Sequence, residues 1–425
     1  MVMIADDLSG AADCGIACAN HGLRTLVLLD DAEDGSGAEV LAVDADTRGC
    51  DPHRAARITA SLVRKYAADR QCLLFKKLDS TLRGHVGAEL SAALHARRDA
   101  CGERVVAMMA PAFPSHGRTT VNGRQLLHGR PIEETEIWQR ERLAAWSSIP
   151  EMLHAAELSS GVVSLAWVRS GADRLRDALV RLAREADVVV CDAETDEDLR
   201  AIAAASMALG PQTVWAGSAG LAYQLPYAAG WTRAAISAPE SALAIGPTLF
   251  VVGSLSGVSR EQAAVLSESG GVVTVRVSPH LLLESADTQH WKAHERELCD
   301  AVEAGRDVLL LPDAGHRMAT EEGPLLCTAL ARMAAPLAHR VGALVATGGE
   351  SARAVMREWG VSKLRLLAEL ETGVPISITE GWSGVLPVLT KAGGFGASQT
   401  LLHCCEFLRG LDRSSAAVLL GGERS

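Results

Sequence analysis

The chain has no stretch of about 18 uninterrupted apolar residues, so no bilayer-spanning helix is expected. Its start lacks a basic segment followed by an apolar run and a small-residue cleavage site, so no secretory signal is expected either. The ten cysteines are scattered and form no CxxC pair, which excludes a zinc ribbon or a disulfide scaffold and fits buried thiols in a reducing cytoplasm. Basic residues are in deficit: 41 Lys and Arg against 52 Asp and Glu give a formal net charge of −11. Phosphate backbones are gripped by clustered Lys and Arg, so a broad nucleic-acid surface is excluded. A small anionic substrate is not, because a site needs only a few residues. Neither a 20–50 residue repeat nor a low-complexity tract appears.

What remains is an ordinary globular composition, 48% hydrophobic and 22% charged over 425 residues, with room for two or three domains. Short apolar runs alternate with helix-length amphipathic segments. The first series is 1–5, 25–29, 40–45, 72–78, 104–110, 187–193 and 213–218; helical patterns at 11–21, closed by Gly22, and at 53–67, preceded by Pro52, lie between them. Strands that are apolar at consecutive positions and separated by helices imply parallel sheets covered on both faces, hence an α/β class. The rhythm restarts with 248–254, 272–278, 307–313, 343–349 and 375–381. Between the series, residues 230–247 carry Gly230, Pro239, Gly246 and Pro247 and read as a connector. Two domains are therefore expected, 1–238 and 245–425, with the boundary near residue 240. The segment from 129 to about 165, with Trp138 and Trp146, reads as an insertion or lid of undefined role.

Ligands of parallel α/β sheets bind at the carboxyl ends of strands, where helix N-termini favour anions. Three loops in the first half carry more polar groups than a turn requires. IADDLSGAADCG places Asp6 and Asp7 side by side at a strand end, followed by Ser9 and Gly10. Capping needs one such residue; two carboxylates raise each other's pKa unless a cation or donor intervenes, which suits binding or deprotonating a hydroxyl. KKLDSTLRGHVGAEL gathers Lys76, Lys77, Asp79, Ser80, Thr81 and Arg83, whose guanidinium suits a carboxylate or phosphate. In 110–129, Ser115, His116, Arg118, Thr119 and Asn122 could line a polar pocket; a Ser115–His116 catalytic pair is disfavoured, because adjacent loop residues rarely bring their side chains together. In the second half, VVGSLSGVSREQ has no lysine and is not a GxxxxGK[ST] loop, whereas LVATGGESARAV and TKAGGFGAS are bare-backbone turns that can cradle phosphates on amides. With the hydroxyls and open amides of the VVGSLSG loop, that makes three glycine-containing turns at strand ends of one domain, which points to a nucleotide site.

Taken together and in order, IADDLSGAAD, KKLDSTLRG, APAFPSHGRTTVNG, WAGSAGLA, VVGSLSG, ATGGESARAV and KAGGFG resemble the four-carbon acid sugar kinases over essentially the whole chain. The resemblance implies an N-terminal domain for the sugar acid, a C-terminal domain for ATP and an active site in the cleft between two α/β domains. It implies phosphorylation of the terminal 4-hydroxyl of threonate, erythronate or 3-oxo-tetronate. Substrate contacts are implied from Asp6, Asp7, Asp79, Ser80 and Arg83, with Lys76 or Lys77 helping Arg83 hold the substrate carboxylate; Asp7, Asp79 and Arg83 are the catalytic candidates. The choice of general base among Asp6, Asp7 and Asp79 stays open. ATP contacts are implied from Ser254, Ser256, Gly348, Gly349, Glu350, Ser351, Gly393 and Gly396. Mg2+ is expected as the bridge between phosphates, with Glu350 a candidate through water and no direct ligand assigned. Ser9 and Ser351 stand where the family often has Thr, and Gly394 where it has Asn. The expected partners are the sugar acid and ATP, with no nucleic acid or membrane; self-association is left open. An NAD-linked oxidoreductase is the enzyme alternative, opposed by the lack of a GxGxxG after a strand; a non-catalytic sugar-acid binding protein is the other, and it would need neither the glycine turns nor a base.

Overall fold

The computed structural model describes residues 1–30, 34–135, 138, 148–231, 233, 246–254, 256–283, 288–313 and 323–410. Residue 240, where the sequence places the domain boundary, and Trp146 lie outside them. The chain divides into two compact units, Met1–Thr25 with Asp34–Arg233, and Leu26–Glu33 with Ala234–Ser425.

The sheet of the first unit contains β1 (Val2–Ala5), β3 (Val40–Asp44), β4 (Leu74–Lys77), β5 (Val106–Ala110), β9 (Ser160–Val163), β10 (Val188–Cys191) and β11 (Thr213–Gly217). Their order is β3-β1-β4-β11-β5-β10-β9, and every pairing is parallel. Of these seven, β1, β4, β5, β10 and β11 are buried throughout, which accounts for their continuous apolar or small residues, with Lys76 and Lys77 at the end of β4 the exception. The helix Leu8–Ala19 follows β1 and is buried at every residue; its Ala, Gly and Cys side chains are small enough for the backbone to lie close to its neighbours. A small antiparallel sheet, β6 (Arg118–Val121), β7 (Arg124–Leu127) and β8 (Arg130–Pro131), follows β5. No apolar run announces it, since polar residues open each strand and most of its positions are partly exposed.

In the second unit β12 (Thr248–Val252), β13 (Val272–Val277), β14 (Asp307–Pro312), β15 (Ala343–Thr347) and β18 (Pro387–Lys391) form a parallel sheet in the order β13-β14-β12-β15-β18. Beyond β18 the sheet turns antiparallel through β17 (Pro375–Thr379) and β16 (Lys363–Glu369). The other partner of β16 is β2 (Thr25–Leu28), paired antiparallel as Lys363 with Leu28 and Arg365 with Leu26. Linear order groups this strand with the first domain; hydrogen bonding to β16 assigns residues from Leu26 to the second unit. The strand β16 itself escapes the sequence pattern because Lys363, Arg365 and Glu369 interrupt its apolar positions. The core behind this sheet is built from Phe250, Val252, Leu266, Leu309, Val345 and Leu389. Among the described residues no helix is long and apolar enough to cross a membrane.

Candidate functional site

The carboxyl ends of β1, β3 and β4 are neighbours, because β1 pairs with both other strands: Ala5 lies beside Asp44 and Ile4 beside Lys76. Three aspartates and two arginines meet there. Asp7 caps the helix Leu8–Ala19, one carboxylate oxygen accepting from the Gly10 amide at 2.8 Å, and its other oxygen accepts from Arg48 Nη1 at 2.8 Å. Capping and site chemistry are thus served by the two oxygens of one residue. Arg48 also donates through Nε to Asp6 Oδ2 at 2.8 Å and places Nη2 3.6 Å from Asp79 Oδ1. Arg83 turns back on Asp79 in a two-pronged pair, Nε to Oδ2 at 3.0 Å and Nη2 to Oδ1 at 2.9 Å. Asp79 Oδ2 also accepts from the Thr81 amide at 3.0 Å and from the Thr81 hydroxyl.

The electrostatics follow from this pairing. Burial works to raise the Asp6 and Asp79 pKa values, but the cations outweigh it: Arg48 and Lys77 hold Asp6 below the ordinary carboxylate value, and Arg83 with Arg48 holds Asp79 well below it. Burial works to lower the Lys77 pKa, and Cys14, Asp6, Asp7 and Asp79 together raise it, so its ammonium stays charged. Oδ1 of Asp6 is buried without a hydrogen-bond partner, an acceptor still to be supplied. Lys76 takes a different direction from its neighbour. It forms a buried ion pair with Glu89 at 2.6 Å and donates to the Lys77 carbonyl at 3.1 Å, so it is committed to the fold. Ser80 is buried, its carbonyl held by Gln125 Nε2 at 2.8 Å. Ser115 and His116 do meet, Oγ to Nδ1 at 3.1 Å, because the short 3-10 turn Pro114–His116 folds one onto the other. Burial and Arg118 pull His116 down to about 4, leaving a neutral imidazole beside an exposed hydroxyl.

In the second unit the carboxyl ends of β12, β15 and β18 are adjacent. Ser256 caps the helix Gly257–Glu268, accepting from the Ser259 amide at 3.1 Å, and the hydroxyls of Ser256 and Ser259 both donate to the Gly393 carbonyl at 2.7 Å. A Cβ at Gly393 would collide with Ser254 Oγ. Gly348 caps the helix Gly349–Glu358 with φ +94° and donates its amide to the Lys391 carbonyl at 2.7 Å. The amides of residues 349–351 head that helix, where no preceding turn supplies carbonyls. Ser351 is buried with its hydroxyl 3.3 Å from Cys327 Sγ, so its amide is the group it can offer a ligand. Glu350 is exposed in the first turn. Lys391 donates to the Ala392 and Phe395 carbonyls at 2.9 Å each, and Gln262 to those of Phe395 and Ala397 at 3.1 and 2.7 Å, which sets the path of the turn through Gly393 and Gly396. Burial lowers Lys391 to about 8 against the opposing pull of Cys404 and Glu371. Among the described residues no group of three or more His, Cys, Asp or Glu side chains is arranged to hold a metal ion.

Two protein families match the chain: the Sugar-binding N-terminal domain over residues 1–225 and the Nucleotide-binding C-terminal domain over residues 249–401. A D-threonate kinase of Cupriavidus necator is 40% identical over 412 residues, covering 95% of this chain and 96% of that protein. The chain belongs to the four-carbon acid sugar kinases. A D-erythronate kinase of Heliobacterium modesticaldum is 28% identical over 96% of this chain and 97% of that one. A crystal structure of a Salmonella typhimurium LT2 protein superposes with a TM-score of 0.77 at 20% identity, covering 95% of this chain and 98% of that one, and shows the shared fold.

Against this sugar kinase architecture, the sequence reading assembled Asp6, Asp7, Lys77, Asp79, Ser80 and Arg83 at one sheet edge, and Ser254, Ser256, Gly348–Ser351, Gly393 and Gly396 at another. It missed Arg48, which touches all three aspartates. The signal was available: DADTRG follows the apolar run VLAV, making it a strand-end loop with a cation. It missed Gln262 and Ser259 as supports of the glycine turn, because their work is done on carbonyls remote in sequence, and Lys391, because its hold on the neighbouring Ala392 and Phe395 carbonyls depends on how the turn folds back on itself.

Proposed function

We propose that this kinase transfers the γ-phosphoryl group of ATP to the 4-hydroxyl of D-threonate. The observation that carries this reading is the knot of Asp6, Asp7, Arg48, Asp79 and Arg83 at adjacent strand ends, in a chain 40% identical to a D-threonate kinase and 28% identical to a D-erythronate kinase. Arg83, Arg48 and Lys77 supply positive charge for the acid's carboxylate. Asp79 Oδ2 alone accepts from the Thr81 amide, the Thr81 hydroxyl and Arg83 Nε, so Asp79 shapes its own loop, whereas each oxygen of Asp7 meets one donor, the Gly10 amide or Arg48. Asp6 Oδ1, buried and lacking a donor, accepts a substrate hydroxyl. Asp7 is the most exposed of the three, 17% against 5% and 11%, and takes the proton of the attacking hydroxyl.

ATP is held by the amides heading the helices Gly257–Glu268 and Gly349–Glu358 and by the turn through Gly393 and Gly396. Mg2+ would be carried by the phosphates and by water, with Glu350 in the first turn of the helix Gly349–Glu358 as the carboxylate that reaches it through water. When bound, that ion neutralises charge on the phosphoryl oxygens. The chain's own residues align the hydroxyl and accept its proton.

The test is ADP release with ATP and Mg2+ over D-threonate, D-erythronate and the 3-oxo-tetronates. D-threonate should give the highest kcat/KM; a higher value for another acid would overturn the substrate assignment. Asp7→Asn should lower kcat, and Asp6→Asn should act mainly through the KM for the acid.

A further inference from the structure

Within the loop from Asp79 to Gly84, Leu82 adopts φ +56°, the left-handed region that bulky side chains avoid. Nothing in the turn's hydrogen bonding requires glycine-like freedom to be filled by leucine; the Leu82 amide donates to the Asp79 carbonyl at 2.8 Å, as an asparagine or glycine would do as well. The side chain is where leucine differs. It is buried and lines a small, mostly apolar cavity with Gln125, Ile132, Trp138, Ile149 and Met152, all of which are themselves buried. These residues belong to β7 and to the segment after it, the part of the chain whose role the sequence left undefined. The same segment grips the loop a second time, since Gln125 holds the Ser80 carbonyl at 2.8 Å and is itself held by the Thr120 hydroxyl at 2.7 Å. Immediately after the left-handed residue the chain delivers Arg83, whose amide and guanidinium both return to Asp79.

We propose that Leu82 is a positioning residue for Arg83: anchored in the cavity walled by Gln125, Ile132, Trp138, Ile149 and Met152, its side chain maintains the left-handed kink that folds Arg83 back onto Asp79. Apolar burial offsets the backbone strain, and strain of this kind persists only where the surroundings over-determine it. These cavity residues therefore set the affinity for the acid without touching it. This inference rests on the reading of Arg83 as the contact to the acid's carboxylate.

The decisive variant is Leu82→Gly, which keeps the left-handed φ at no steric cost and removes only the anchor. The KM for the acid should rise on the order of tenfold, while the KM for ATP stays unchanged, and Leu82→Met should restore the acid KM by refilling the cavity. Met152→Ala, at another residue lining the cavity, should reproduce the pattern more weakly. Hydrogen exchange reads the loop without any substrate: the amides of Thr81, Leu82 and Arg83 should exchange at least about tenfold faster in Leu82→Gly. Unchanged exchange at those amides overturns the inference whatever the kinetics. If the wild type phosphorylates no acid in the panel, the functional reading fails, and the exchange result still decides the role of Leu82.

Discussion

The two units meet anions by opposite means. In the first, the groups proposed to hold the ligand are charged side chains, and each half-buried arginine there already sits on a carboxylate: Arg48 on Asp6 and Asp7, Arg83 on Asp79. In the second, they are main-chain amides and small hydroxyls, and the only buried cation of the turn, among the described residues, lies against carbonyls. A guanidinium taken out of water needs a partner before its ligand arrives, so the first site brings aspartates with it. A backbone amide at a helix start is neutral and needs none. The comparison explains how a chain of net charge −11 handles two anions: the carboxylates that make the first site look acidic are the counterions of its arginines.

The contrast can be broken most forcefully at Gly348. A Val there is forced to φ +94° and places carbon where the backbone must approach phosphate, so Gly348→Val should cut ATP affinity by about a thousandfold or more, from strain of ~1–3 kcal/mol plus the lost approach. Calorimetry with ATP checks it, and binding of the acid should survive. Arg48→Ala comes next. Leaving Asp6 and Asp7 without their partner should lower kcat/KM for the acid by about a hundredfold, ~3 kcal/mol, with ATP affinity unchanged. Loss of ATP binding in that variant would mean that the two sites are not chemically independent.

A third test uses acid. The folded pKa of Asp79 lies below its ordinary value of 3.8, so near pH 3 the unfolded chain binds more protons and stability rises with pH. The contribution is complete above about pH 5 and disappears as pH falls through the folded pKa. The urea midpoint of wild type should therefore exceed that of Asp79→Asn by its full margin at pH 6 and by progressively less towards pH 3, whereas Gly348→Val should show no such convergence. The smallest effect is expected at Gly394, which is exposed and whose Cβ direction is open space. Gly394→Asn should fold normally and change the KM for ATP by no more than about threefold, since one added amide can contribute a single exposed hydrogen bond. A larger gain would show that side chains matter in the second site as well.

Much of the architecture was legible in the sequence because parallel strands buried on both faces must be apolar at consecutive positions, and the loops that follow them are the only places for ligand chemistry. The strand β16 was not, since antiparallel pairing tolerates Lys363 and Arg365 on a half-exposed face. Nor could β2 be assigned from order along the chain, because pairing with β16 is a contact across more than three hundred residues.

The same division runs through the sites. Residue types and local order determined by themselves that Asp6, Asp7, Asp79 and Arg83 stand at strand ends and that Gly348, Gly393 and Gly396 form bare turns, since both follow from local backbone preferences. Which of Lys76 and Lys77 is bound in an ion pair of the fold was decided by the tertiary structure: successive side chains of β4 point to opposite faces, and only the position of Glu89 on the helix Val86–Cys101 claims the first. Arg48 joined the aspartates for a similar reason, because the register of β3 against β1 carries a loop forty residues away to Asp6. Local pattern specifies where charge can stand; only packing decides which charges meet, because a buried cation takes whichever carboxylate the fold brings within reach.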